Sequence, residues 1–103
     1  MIGETPYFEL TSDDFLDPIE GPVKDQDGFY RRILEFIDFN LHSNYNINIL
    51  CYFVNSQGDV FEATLEPDGY YKSLNKCIAY YEKEEEYEKC TQIKNMIQDF
   101  RLI

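Results

Sequence analysis

Ile47-Asn48-Ile49-Leu50-Cys51-Tyr52-Phe53-Val54 is rich in β-branched and aromatic residues and is apolar on both of its alternating sets. That composition predicts a strand covered on two sides. Asn55-Ser56-Gln57-Gly58-Asp59 follows as turn chemistry, with Gly58 free to take positive φ. Val60 to Leu65 then alternates, with Phe61, Ala63 and Leu65 on one face and Val60, Glu62 and Thr64 on the other. Together the two runs predict a two-stranded antiparallel β-hairpin. A lone two-stranded sheet is marginal, so helices are expected to cover the hairpin, and the N-terminal arm or a second copy of the chain to extend it.

Working outward, the residues before the hairpin read as a helix over 28–42. Phe29, Ile33, Phe36, Ile37 and Leu41 recur at helical spacing, Tyr30 and Leu34 widen the stripe, and Asp27 stands as N-cap. Arg31, Arg32, Glu35 and Asp38 are assigned to the opposite, solvent side, where Arg31 and Glu35 are four apart and can pair. After the hairpin, Pro67-Asp68-Gly69 stops the strand. Two helices are expected beyond it, over about 70–83 and 85–100. Tyr70, Leu74, Cys77, Ile78 and Tyr81 face inward on the first, and Tyr87, Cys90, Ile93, Ile97 and Phe100 form the seam of the second. The short Glu82-Lys83-Glu84-Glu85-Glu86 link between them predicts an antiparallel helical hairpin over about 70–101. The fold class expected is therefore α+β: extended arm, helix, β-hairpin and helical hairpin, with residues 1–27 as an arm and 28–103 as one small domain.

Charge narrows the partners. The 103 residues carry 20 acidic and 9 basic side chains, a net of −11. Free nucleic acid and anionic membrane surfaces are excluded as direct ligands, because both are held by Lys and Arg. Eight of the acids but one base fall in residues 1–27, among three of the four prolines and scattered apolar residues. This reads either as an arm packing its aromatics on the domain or as an acidic recognition segment for a basic partner. With 44% apolar residues, nine Tyr and eight Phe, the chain can build a core of about the minimum size that folds unaided. It has no secretory leader pattern and no run of apolar residues long enough for a membrane span, and its three cysteines, Cys51, Cys77 and Cys90, suit a reducing compartment. The expected setting is the cytoplasm. Enrichment in residues with AT-rich codons adds the expectation of a small gene product of phage or another mobile element.

Catalytic, cofactor and metal sites are not expected. The helix ending at His42 and the strand carrying Cys51 adjoin in sequence, but a thiol inside an apolar strand is inert packing. No pair of Cys or His has metal-ligand spacing, and Asp25-Gln26-Asp27-Gly28 fails as a calcium loop because Val23 and Leu34 fall where carboxylates are required. The residues singled out for partner binding are Asp13, Asp14, Phe15 and Asp17 in the arm, Tyr71 and Tyr80 on the first helix of the hairpin, and Glu85 and Glu86 in its link.

Tyr87-Glu88-Lys89-Cys90-Thr91-Gln92-Ile93-Lys94-Asn95-Met96-Ile97 resembles the UVR motif of the UvrB and UvrC excision-repair proteins. Cys90-Thr91 stands for the motif's small pair, and Leu74 and Ile78 for the apolar residues of the preceding helix. Lys94-Asn95 replaces the motif's Arg-Asp. The resemblance covers about residues 74–100 and implies a helical hairpin used for protein–protein association, with no chemistry. The function expected is a non-catalytic protein-binding or assembly module whose partner has a basic surface, homo-oligomerisation included. The alternative is an acidic nucleic-acid mimic that blocks a DNA- or RNA-binding protein.

Overall fold

The computed structural model describes residues 4–11, 23–43 and 47–102, the last three of these by backbone alone. The elements in chain order are β1 (Tyr7–Glu9), α1 (Gln26–Leu41), β2 (Ile49–Val54), β3 (Val60–Thr64), a short 3-10 turn (Pro67–Gly69), α2 (Tyr70–Lys83) and α3 (Tyr87–Leu102). The class is α+β, with three helices and a mixed three-stranded sheet in the order β1-β2-β3. α1 packs against β2 and also against α2 and α3, and α2 packs on α3.

The sheet has three strands where the fold class expected two, the third coming from the N-terminal arm, one of the two extensions expected. β2 and β3 pair antiparallel, whereas β1 comes from the arm and runs parallel to β2, with Tyr7 opposite Tyr52, Phe8 opposite Phe53 and Glu9 opposite Val54. The Tyr52 N–H donates to the Pro6 carbonyl at 2.9 Å, and the Leu10 N–H donates to the Val54 carbonyl at 2.9 Å. Pairing of this kind satisfies the β2 edge that a lone hairpin leaves bare, and a parallel neighbour requires a long crossover, which the segment containing α1 provides. Phe8 is buried against Phe29 of α1 in an edge-on contact, with ring centroids 5.6 Å apart, and Phe29 in turn meets Phe53 at 5.6 Å.

α1 begins two residues earlier than expected. Its N-cap is Asp25, not Asp27, and the Asp25 carboxylate accepts from the Gly28 N–H at 3.0 Å. A Cβ at residue 28 would clash with the Asp25 carboxylate, so glycine there lets the cap approach. Asp27 in the first turn pairs with Arg31, which replaces the expected Arg31–Glu35 pair. A carboxylate in the first turn also faces the positive end of the helix dipole.

The inward stripe of α1 is Phe29, Arg32, Ile33, Phe36, Ile37 and Asn40. Arg32, expected on the solvent side, is only 5% exposed. Its Nε donates to the Leu50 carbonyl at 2.7 Å. The β2–β3 register explains this bond. Ile49 is opposite Thr64 and Cys51 is opposite Ala63, so Leu50 is an extra residue in a bulge. A bulged residue loses its ladder partner, and Arg32 supplies the missing donor. Asn40 does the same just over two turns further on. Its Nδ2 donates to the Ile47 carbonyl (2.9 Å) and to the Tyr70 hydroxyl (3.0 Å), while its Oδ1 accepts from the Ile47 N–H (3.0 Å).

α2 ends with the Glu85 N–H on the Glu82 carbonyl (3.1 Å) and the Glu86 N–H on the Tyr81 carbonyl (2.9 Å). This is a Schellman closure, and its turning residue, Glu85, sits at φ 60 where glycine is usual. The closure explains why α3 starts at Tyr87 and not at 85. Cys90 and Ile93 are buried on α3, but Tyr87 is 62% exposed, so the expected seam begins one turn later. The strand reading also needs correction: Cys51 and Phe53 are fully buried toward α1, while Tyr52 and Val54 on the other face are half-buried.

Because Phe8 fills the layer between sheet and α1, Phe8→Ala should destabilise the protein by about 3–5 kcal/mol. Urea unfolding followed by circular dichroism checks this; a loss below ~1 kcal/mol would mean that the arm merely lies on the domain.

Candidate functional site

Strand alternation sends Phe8, Phe53 and Phe61 toward α1 and leaves Tyr7 and Glu9 of β1, Tyr52 and Val54 of β2, and Val60 and Glu62 of β3 on the outer face. Tyr7 and Tyr52 stack there, with ring centroids 4.9 Å apart and planes 27° apart. Tyr7 is 63% exposed and Val60 53%. An aromatic pair held on a rigid sheet offers large contact area at little entropic cost, which is why Tyr is frequent among interface anchors.

The β3 side of this face is acidic. Glu62 lies on it, Asp59 and Glu66 flank the strand and are exposed, and residues 47–71 contain no Lys, Arg or His. At the tip of the β2–β3 turn the Asn55 side chain organises the backbone, its Oδ1 accepting from the Gln57 and Asp59 N–H groups at 3.0 and 2.9 Å, with Gly58 at φ 84. Glu9 carries an exposed pair with Lys24, 3.4 Å apart.

Of the residues singled out from the sequence, Asp13, Asp14, Phe15 and Asp17 lie outside the described residues. Tyr71 is exposed at the start of α2. Tyr80 is not a free surface ring: it is half-buried, stacked on Tyr30 of α1 at 4.4 Å and edge-on to Tyr81 at 5.1 Å. Burial, and then the charges of Asp27, Glu84, Glu86 and Asp25, push its phenol above the usual range. Tyr80 and Glu86 therefore belong to one acidic neighbourhood, where the start of α1 meets the α2–α3 link. Glu85 and Glu86 are both exposed. The outer sheet face was missed because Tyr7 meets Tyr52 only when β1 joins the sheet.

Two open grooves flank α1. One, of about 250 Å³, is lined by Glu4, Pro6, Phe8, Arg31, Arg32 and Glu35. The other, of about 370 Å³, lies between α1 and α3 and has Leu34, Ile93 and Met96 with Glu35, Asp38 and Gln92 around them. Among the described residues no group of three or more His, Cys, Asp or Glu is placed to hold a metal ion, and no helix is long and apolar enough to cross a membrane.

The thiols are packed away. Cys51, Cys77 and Cys90 are free and buried, and burial pushes Cys51 and Cys77 up to about 12, against a slight opposing pull of Arg32 on Cys51. At neutral pH almost no thiolate is available, which is the opposite of what a nucleophile requires. His42 is exposed at the end of α1, with Nδ1 3.0 Å from the Asp38 carbonyl and 3.3 Å from its Oδ1. No family model matches the chain, and comparison with curated proteins and with solved structures gives no significant match.

The raised thiols set a pH window. A group that is harder to ionise when folded contributes stability below its unfolded pKa and loses it as pH rises toward the folded value. Stability should therefore hold up to about pH 9 and fall between 9 and about 12. Urea midpoints measured across that range check this, and Cys77→Ala should shallow the decline; a flat profile to pH 11 would contradict it.

Proposed function

We propose that the protein is a non-catalytic protein-binding module that docks on a basic partner through the outer face of its sheet. The observation that carries this reading is the exposed Tyr7–Tyr52 stack beside Val60, bordered by acids with no cation in residues 47–71. Aromatic and aliphatic side chains at the centre with charge at the rim match the anatomy of a specific protein interface. The acidic rim would steer a basic surface toward the patch and disfavour acidic competitors. The UVR-like stretch supports the same class of function, association without chemistry, and Cys90 of its small pair lies buried with its Sγ 3.7 Å from the Ile78 carbonyl.

Affinity capture from the source cell, using the wild type and a Tyr7→Ser/Val60→Ser variant at low and high salt, tests the reading. The wild type should retain a basic protein, with capture falling at high salt and falling at least severalfold in the variant. Equal capture by both proteins would overturn the assignment of this face. Stoichiometric displacement of the captured protein by duplex DNA would favour the nucleic-acid mimic instead.

A further inference from the structure

We propose that the edge of β3 facing away from β2, which no strand among the described residues pairs, takes up an extended, basic segment of the partner as a fourth strand. This rests on the reading of the protein as a binding module and names how the partner is held.

The ladder defines which backbone groups are available. The Asn55 N–H donates to the Asp59 carbonyl at 3.1 Å, so residues 55 and 59 form a hydrogen-bonded pair. Antiparallel pairs alternate, so Phe53–Phe61 is also bonded, and Val54–Val60 and Tyr52–Glu62 are not. Tyr52 and Val54 agree with this, since their backbone groups bond to Pro6 and Leu10 on the β1 side. Val60, Glu62 and Thr64 accordingly turn their N–H and C=O groups away from β2, to the side where no further strand lies among the described residues. The opposite edge differs. There Val23 bridges to Leu10, and the Lys24 N–H donates to the Glu9 carbonyl at 2.9 Å.

Natural edge strands are guarded by Pro, by Lys or by a bulge, and β3 (Val-Phe-Glu-Ala-Thr) has none of these on its free side. Its guard is Glu62. In antiparallel self-pairing centred on residue 62, Glu62 would meet Glu62 of the second copy, and like charges directly opposite are destabilising. The same carboxylate attracts Lys or Arg on an incoming strand, as do the exposed Asp59 and Glu66 that flank β3. Phe61, on the α1-facing side of the edge, is 41% exposed and offers a neighbour to an apolar side chain of that strand. The chemistry recognised is therefore an alternating segment, with basic residues beside Glu62 and aliphatic residues beside Phe61. Main-chain pairing supplies the affinity and the two side-chain rows supply the selection.

The test is titration of the capped peptide Lys-Val-Lys-Val-Lys-Val-Lys into the isotope-labelled full chain, followed by amide shifts and hydrogen exchange. Protection of the Val60, Glu62 and Thr64 amides is expected. Glu62→Pro should weaken binding roughly tenfold or more, because it removes an outward N–H and leaves the β2 ladder in place. A peptide N-methylated at alternate amides gives the same test on the unaltered protein and should also fail to bind. Unchanged affinity in either experiment would overturn the proposal, as would shifts confined to Tyr7 and Tyr52, which would leave the binding-module reading intact. Protection of the same amides that grows with protein concentration in the absence of peptide would assign the edge to a second copy and overturn it as well.

Discussion

The fold depends on how α1 holds the irregular start of β2. Leu50 is bulged out of the ladder and Ile47 lies before the ladder begins, so three backbone groups in this region lack strand partners. Arg32 satisfies the Leu50 carbonyl, and Asn40 satisfies both the N–H and the carbonyl of Ile47. Unpaired, each such group in a protein interior would cost about 1–3 kcal/mol, a large share of the stability of a domain this small. Burial of the Arg32 charge lowers its pKa, an effect that nearby Glu35 partly opposes, and the guanidinium also lies 5.7 Å from the centre of the Phe36 ring. Asn40 reaches further, because its second N–H meets the Tyr70 hydroxyl and so fixes the start of α2 relative to the sheet.

The two faces of the sheet follow from that anchorage. With β2 seated on α1, Phe8, Phe53 and Phe61 are committed to the inner side, and the pleat places Tyr7, Tyr52, Val54 and Val60 on the outer side. The same register determines which backbone groups of β3 face outward. A slip of one residue would exchange the faces, burying Tyr52 and Glu62 and exposing Phe53. Two polar side chains of α1, Arg32 and Asn40, thus bear on which residues of the sheet face outward.

Much of the architecture was legible. The helix–hairpin–helix–helix order could be read from periodicity and turn chemistry, and Gly58 takes the positive φ expected of it. β1 was not specified, because an arm with scattered prolines gives no period, and its pairing is decided by the bare edge of β2 and the burial of Phe8. Arg32 was misplaced by its charge. Yet its position was visible in the spacing, since 29, 32, 33, 36, 37 and 40 form one unbroken helical stripe in which Arg32 and Asn40 are the polar members. Polar residues inside such a stripe signal a backbone in need of partners. Glu85 was singled out for its charge, while the structure gives it a conformational part as the left-handed residue that closes α2. Tyr71 is exposed, whereas Tyr80 is half-buried because Tyr30, which only widens the stripe of α1 in the sequence, stacks on it.

Arg32 and Asn40 hold β2 and the residues leading into it by hydrogen bonds to the backbone. Native-state hydrogen exchange at the Ile47 amide, compared between the wild type and Asn40→Leu, tests this anchorage most directly. The prediction is a loss of local protection at Ile47 by at least roughly tenfold beyond the global destabilisation, with β3 and α3 amides following the global change alone. Ile47 protection that merely tracks global stability would contradict the account.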